Sequence, residues 1–138
     1  MQRGQRLEPE ARGLYIRTTG VRVEPVCLEH RANPWMRGSL DGLSADGSVV
    51  LEVKCPGAAD HDVAVRGEIP GKYVPQLQHL LAVSGARVCH YWSYRDGEGT
   101  LIEIAPDRGY IRTLIERERD LWRHVLEDPR PQPRRFEW

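Results

Sequence analysis

Acidic and basic residues suited to phosphate chemistry stand close together in one short stretch of the chain. Asp41 lies before the dipeptide Asp46-Gly47, and Glu52 and Lys54 follow it within an apolar run. Asp-Gly between two apolar-rich runs is the strongest short-range signal for a two-residue β-hairpin turn. That turn places Asp41 directly opposite Glu52, with Cβ atoms about 5 Å apart. We therefore expect two carboxylates to face each other across a hairpin.

Side-chain alternation adds a positive charge to the same face. Lys54 shares the face of Glu52, while Leu51 and Val53 point the other way into a core. Directly opposed like charges destabilise a sheet, so this hairpin indicates that another group binds between the two carboxylates, most simply a divalent cation. On spacing alone, a solvated hairpin face is the commoner explanation, because an Asp and a Glu-x-Lys at this separation often arise by chance.

A magnesium ion suits such a hairpin. Mg²⁺ prefers oxygen ligands and keeps several waters, so a few carboxylates and a carbonyl suffice. A bound cation polarises a phosphoryl oxygen and lowers the pKa of a ligating water, which favours phosphodiester hydrolysis. Lys54 would orient that water, stabilise developing negative charge or accept a proton, and the pattern leaves these three roles open.

Composition sets broad limits on the protein. The 138 residues fit a single domain over 1–128, followed by a basic Pro/Arg-rich tail over 129–138. Charges balance at 20 against 20, so attraction for nucleic acid must be local. We find no bilayer-spanning apolar run and no signal segment, and we expect a cytoplasmic protein. The three cysteines are widely spaced, which disfavours a disulfide framework and a zinc knuckle.

Periodicity and turn residues predict the order α-β-β-β-α-β-β-α, an α/β or α+β sandwich in which helices cover a mixed sheet. Pro25 confines the first strand to an edge or to its own end. The last helix is expected to carry Tyr110, Leu114, Leu121 and Val125 inward. The predicted elements are a helix over 4–19, a strand over 21–26, hairpin strands over 36–43 and 48–54, an irregular stretch over 56–72, a helix over 73–83, strands over 87–94 and 100–104, and a helix over 107–127.

Four segments together resemble a known family. They are Gly4-x-x-x-Glu8-x-x-Ala11-Arg12-x-x-Tyr15, Ser39-x-Asp41-Gly42, Glu52-Val53-Lys54-Cys55-Pro56 and Tyr73-x-x-Gln76-x-Gln78. The combination resembles the PD-(D/E)XK nucleases, and within them the YqaJ-type viral recombinases, the family of phage lambda exonuclease. The resemblance runs from about Gly4 to about Val125 and implies a restriction-endonuclease-like core. Leu40 stands where the nominal motif has proline, a tolerated variation.

The resemblance implies roles for individual residues. Asp41, Glu52 and Glu8 match the metal-binding acids, with the Val53 carbonyl completing the shell. Lys54 matches the catalytic lysine and Gln76 the glutamine that positions lysine or substrate. Further matches imply contacts with DNA or phosphate: Ser39, Tyr73 and Gln78. Arg3, Arg6 or Arg12 would supply positive charge in place of the basic residue with which larger relatives grip a 5′ phosphate.

The resemblance also implies an activity and partners. It implies a Mg²⁺-dependent DNA exonuclease, with Mn²⁺ as a substitute, that acts on double-stranded ends in the 5′ to 3′ direction during phage-type recombination. A single-strand annealing protein and a homo-oligomer are the implied partners, and a bacterial host cell, with phage or prophage origin, is the implied setting. An endonuclease on the same core and a non-catalytic DNA-binding or scaffold module are the alternatives.

Overall fold

The structure is a computed structural model that describes residues 3–127, with side chains from Arg6 onward. A 3₁₀ turn at Gly71–Tyr73 leads directly into the third helix. The elements are α1 Arg3–Thr19, β1 Val23–Glu29, β2 Arg37–Ser44, β3 Val49–Lys54, α2 Ala58–Val65, α3 Val74–Ser84, β4 Val88–Arg95, β5 Glu98–Ile104 and α4 Arg108–Glu127. The predicted order is confirmed, with α2 as an additional helix. The basic tail lies outside the described residues.

The five strands form one mixed sheet in the order β1-β2-β3-β4-β5. Strands β3 and β4 are parallel and the other neighbours are antiparallel. Helix α1 covers one face, where Tyr15 packs with Leu51 and Trp92. Helix α3 covers the other face, where Leu77 packs with Leu40. The predicted α/β architecture, a mixed sheet flanked by helices, is confirmed.

The hairpin has the predicted register but a different turn. Gly42 pairs with Leu51, which is the register that places Asp41 opposite Glu52. The turn hydrogen bond, however, runs from the Gly47 N–H to the Ser44 carbonyl, and Gly47 adopts the left-handed region at φ 75. The strands therefore end at Ser44 and Val49, and the two-residue turn was a wrong prediction. The Asp46 carboxylate accepts hydrogen bonds from the neighbouring serines and stabilises the longer connection.

A β-bulge interrupts the pairing of β1 with β2 at the start of the candidate site. The register shifts so that Pro25 of β1 lies opposite two residues of β2, Asp41 and Gly42. Proline has no N–H to donate, so it is tolerated at such an interruption on an edge strand. Bulges re-aim side chains and occur next to active sites. The edge position predicted from Pro25 is confirmed. The bulge lies opposite Asp41 and so affects the direction of its side chain.

Three local predictions were wrong. The stretch over 56–72 contains α2, a short helix that carries no strong periodic signal. Strand β5 begins at Glu98, because Asp96 and Gly97 alone form the turn, both with positive φ. Helix α4 turns Ile111 and Ile115 toward the core and leaves Tyr110 and Leu121 exposed.

In the part of the chain that the structure describes, no helix has the length and apolar character needed to cross a membrane.

Candidate active site

The hairpin brings the two predicted acids together where the ladder between β2 and β3 ends. Beyond the Gly42–Leu51 pair, the Val53 N–H donates to Oδ2 of Asp41 at 2.8 Å. Glu52 is 5% exposed. Burial, reinforced by the negative charges of Glu52 and Glu8, raises the pKa of Asp41 to about 8. Burial also raises the pKa of Glu52, and the nearby Lys54 ammonium opposes that rise.

Helix α1 adds a third carboxylate from one face of the sheet. The Glu8 carboxyl lies close enough to the Asp41 carboxyl to contribute to the raised pKa of Asp41. Arg12, one helical turn after Glu8, donates from Nη2 to Glu8 Oε2 at 2.7 Å and from Nε to the Asp41 carbonyl at 3.0 Å. Its side chain is only 15% exposed. Arg12 therefore links α1 to β2 through hydrogen bonds.

Helix α3 adds an amide from the opposite face of the sheet. Gln76 Oε1 accepts a hydrogen bond from Lys54 Nζ at 2.9 Å, and Gln76 Nε2 donates to Glu52 Oε1 at 3.2 Å. Lys54 Nζ is itself 3.2 Å from Glu52 Oε1. Lys54, Glu52 and Gln76 thus form a closed triangle of polar contacts. The proline in the first turn of α3, Pro75, removes an N–H that would have no helical partner there.

An aromatic ring borders this triangle. The centre of the Tyr73 ring is 4.7 Å from Lys54 Nζ and 5.1 Å from Lys72 Nζ. Its other neighbour is the buried ring of Tyr91, at 6.1 Å between centres. Ammonium groups within about 6 Å of an aromatic ring centre are attracted by the ring's quadrupole. Tyr73 therefore holds the Lys54 ammonium beside the acids.

The remaining predicted residues divide into two groups. Ser39 lies exposed on β2, two residues before Asp41, and its hydroxyl is 3.9 Å from Cys27 Sγ. Val53 contributes its backbone to the site while its side chain is buried. Gln78 is different: it is 5% exposed, and its amide donates to the Ala105 carbonyl and accepts from the Asp107 N–H. These contacts position the connection into α4 and leave Gln78 outside the cluster.

The donor chemistry of the cluster fits a hard divalent cation. Glu8, Asp41 and Glu52 offer only oxygen, the ligand type that Mg²⁺ and Mn²⁺ prefer. Among the side chains described, no three His, Cys, Asp or Glu residues are arranged to hold a metal as they stand. Their oxygens are turned to the Arg12, Lys54, Gln76 and Val53 donors described above. Because the pKa of Asp41 is raised to about 8, its proton neutralises one of the three negative charges. A bound divalent cation would neutralise more of that negative charge.

Sequence reasoning missed two features of this site. Arg12 was expected to contact DNA, although an acid and an arginine four residues apart on a helix are a standard signal for an ion pair. Asp60 was not singled out, and its carboxylate lies 2.7 Å from Lys72 Nζ beside Tyr73. No local pattern reveals this pair, because α2 itself was not predicted.

Comparisons with known proteins agree with this arrangement. A family model described as the YqaJ-like viral recombinase domain matches residues 1–87. The crystal structure of an alkaline exonuclease, LHK-Exo from Laribacter hongkongensis, matches with a TM-score of 0.70 at 28% identity, covering 92% of this chain and 74% of that one. The structure of LHK-Exo in complex with dAMP matches with a TM-score of 0.74 at 29% identity, covering 92% and 72%. A search of curated protein sequences gave no match.

The family match spans more than half of the chain and includes every residue of the acid cluster together with Lys54 and Gln76. The chain therefore belongs to the family of YqaJ-like viral recombinase domains.

Proposed function

We propose that this protein is a phage-type DNA exonuclease that hydrolyses phosphodiester bonds with the help of a divalent cation. The observation that carries the proposal is the convergence of Glu8, Asp41 and Glu52 with Lys54 and Gln76 at one end of the hairpin. The similar exonuclease LHK-Exo has been crystallised with dAMP. A deoxynucleoside monophosphate is the kind of molecule that stepwise hydrolysis of DNA releases, which supports DNA as the substrate.

In this proposal the acids hold the cation. Asp41, Glu52 and Glu8 supply carboxylate oxygens, and the Val53 carbonyl is the fourth protein ligand. When bound, this cation, which we propose to be Mg²⁺ with Mn²⁺ as a substitute, would polarise a phosphoryl oxygen and lower the pKa of a nearby water. Arg12 keeps Glu8 and the Asp41 backbone in place, because its planar guanidinium can address two acceptors at once.

Lys54 and Gln76 serve the water and the scissile phosphate. The Lys54 ammonium is held by Gln76 and by the Tyr73 ring, so its position is fixed before the substrate arrives. A preorganised positive charge stabilises the negative charge that develops on phosphate oxygens without further reorganisation. Gln76 bonds to both Lys54 and Glu52 and so holds the ammonium 3.2 Å from Glu52 Oε1. Ser39 and Tyr73 border the site and are proposed to contact the DNA strand.

Finer properties belong to the same proposal. We propose action on double-stranded ends, in the 5′ to 3′ direction, during phage recombination in the cytoplasm of a bacterial host. A single-strand annealing protein and further copies of the chain are the proposed partners. We also propose that residues 1–128 form the nuclease domain and that the tail over 129–138 adds phosphate affinity. Duplexes labelled at either the 5′ or the 3′ end distinguish the directions, because only the end attacked first releases its label early.

A cleavage assay tests the activity. Linear and covalently closed circular duplexes are incubated with wild-type protein and with Lys54→Ala, in Mg²⁺ or in EDTA. We expect nucleotide release from linear DNA in Mg²⁺ only, and a loss of about 10²-fold or more in Lys54→Ala. Arg87→Ala is the matched control, since it removes an exposed positive charge at the opposite end of the parallel strands.

The assay separates the alternatives. Cutting of closed circles would favour an endonuclease, and metal-independent DNA retention without cutting would favour a non-catalytic module. Degradation that is equal in wild-type protein and Lys54→Ala would contradict the proposed role of the lysine.

A further inference from the structure

Lys72 lies outside the acid cluster but shares a contact with it. The Nζ atoms of Lys72 and Lys54 are 5.1 Å and 4.7 Å from the centre of the same Tyr73 ring. The two ammonium groups are therefore no more than about 10 Å apart, a span of about three nucleotides at about 3.4 Å per nucleotide of one strand. These are the only two lysines of the chain. Both stand against one aromatic side chain.

The surroundings of Lys72 are set by the same elements that position Gln76. Lys72 and Tyr73 belong to the 3₁₀ turn that leads into α3. Tyr73 is anchored against the buried Tyr91. A phosphate bound at Lys72 would therefore keep a defined distance from Lys54 and Gln76, which a flexible surface loop would not provide.

The present partner of Lys72 is a carboxylate from α2. Asp60 Oδ2 is 2.7 Å from Lys72 Nζ, and the two side chains are 29% and 61% exposed. Exposed ion pairs of this kind contribute little to stability, because solvent screens them and both side chains lose conformational freedom. A phosphate oxygen presents the same kind of anionic acceptor as a carboxylate oxygen. DNA can therefore replace Asp60 at small cost.

We propose that Lys72 binds a backbone phosphate of the DNA within about three nucleotides of the scissile bond, and that Asp60 occupies this ammonium when DNA is absent. The inference rests on the proposed function. Asp60 is then an internal competitor that stands in for the phosphate. Removing Lys72 and removing the charge of Asp60 must shift DNA affinity in opposite directions.

Equilibrium binding tests this prediction. Fluorescence anisotropy with a short labelled duplex in EDTA, over a series of KCl concentrations, compares wild-type protein with Lys72→Gln, Asp60→Asn, the double variant and Arg87→Gln. The last variant is the control for loss of one exposed positive charge far from the site. Thermal unfolding of each variant checks that the fold is retained.

The expected results are specific in sign. Lys72→Gln weakens binding about 3- to 10-fold and lowers the steepness of log K against log salt by about 0.9, the value for one lost phosphate contact. Asp60→Asn tightens binding about 2- to 5-fold, because the ammonium no longer has to leave a charged partner. The double variant resembles Lys72→Gln, and Arg87→Gln resembles wild-type protein.

Other results overturn the inference. Equal weakening by Lys72→Gln and Asp60→Asn, with an unchanged salt dependence, would show that the pair only ties α2 to the 3₁₀ turn. An effect of Arg87→Gln equal to that of Lys72→Gln would show a general charge effect. Absence of nucleotide release in the cleavage assay with Mg²⁺ would overturn the proposed function itself, whereas failure of the Lys72 predictions alone leaves that function intact.

Discussion

Asp41 is surrounded by more negative than positive charge. Glu52 and Glu8 both face it, while its carboxylate accepts a hydrogen bond from the uncharged Val53 N–H. Lys54 compensates Glu52, and Arg12 compensates Glu8. Among the described residues, this arrangement leaves the partly buried Asp41 carboxylate without an oppositely charged partner, which is costly in the absence of a cation. The cost is consistent with a site shaped for binding rather than for stability.

The raised pKa of Asp41 predicts how stability depends on pH. Because the folded protein holds this proton up to a pH of about 8, while an unfolded chain releases it near the ordinary value of about 4, the folded state binds more protons between these limits. The stability of the metal-free protein should therefore fall as the pH rises through this range. Asp41→Asn removes the titrating group and keeps an oxygen for the Val53 N–H.

Thermal unfolding in EDTA at pH 5 and pH 9 measures this effect. We expect Asp41→Asn to be more stable than wild-type protein at pH 9, with a smaller difference at pH 5. Magnesium should recover stability in wild-type protein and fail to do so in Asp41→Asn. Identical pH profiles for the two proteins would contradict the described electrostatics.

The bulge in β2 is the element-scale feature on which the site depends. Pro25 lies opposite Asp41 and Gly42, and Gly42 packs its backbone tightly against neighbours. A Cβ atom at Gly42 would lie 2.7 Å from Val23 Cγ2 and 3.2 Å from Leu51 Cβ. Both neighbours belong to the core beneath α1. The residue that follows Asp41 must therefore be glycine for reasons of packing.

Gly42→Ala is predicted to destabilise the protein by about 1–3 kcal/mol, the usual cost of overpacking a filled core. Gly109→Ala is the matched control, since its Cβ atom would meet only Asp107 Oδ1, at 3.7 Å, and alanine favours the helix by about 0.5–1 kcal/mol. Chemical denaturation of both variants gives the free energies of unfolding. A Gly42→Ala protein as stable as wild type would show that β2 can move away from Val23.

Some elements of this fold could be predicted from sequence, and others depend on contacts between distant segments. The register of β2 with β3 followed from apolar runs around Asp46-Gly47, even though the turn is longer. The inward face of α4 was predicted only in part: Leu114 and Val125 are partly buried, but Tyr110 and Leu121 are exposed. Ile111 and Ile115 pack against the core instead, because both sets fit the helical period. The bulge at Asp41 depends on the pairing with Pro25, which no local pattern specifies.

The same limit applies to the candidate site. The cluster of Asp41, Glu52 and Lys54 is local to one hairpin and could be derived from alternation and register. Glu8 and Gln76 reach it only because α1 and α3 cover opposite faces of the sheet, and a resemblance to known nucleases was needed to connect them. The inward position of Gln78 depends on the connection into α4 and could not be derived from helical spacing.

At the scale of the whole molecule, the site lies where the two layers of helices meet the end of one hairpin. Helix α1 contributes Glu8 and Arg12 from one side, and the start of α3 contributes Tyr73 and Gln76 from the other. The chain carries no net charge at neutral pH, so DNA must be attracted by local groups such as Lys54 and Lys72. We therefore expect the salt dependence of DNA binding to be modest, because its steepness follows the number of phosphates contacted and these groups contact only a few.

We propose above that Glu8, Asp41 and Glu52 bind a divalent cation next to the Lys54 ammonium. Anomalous diffraction from crystals grown with Mn²⁺ and a short DNA duplex tests it most directly. We expect a manganese peak within about 2.5 Å of carboxylate oxygens of both Asp41 and Glu52, beside a phosphate. Diffraction that shows DNA bound at this end of the hairpin, with those oxygens apart and no manganese between them, would contradict it.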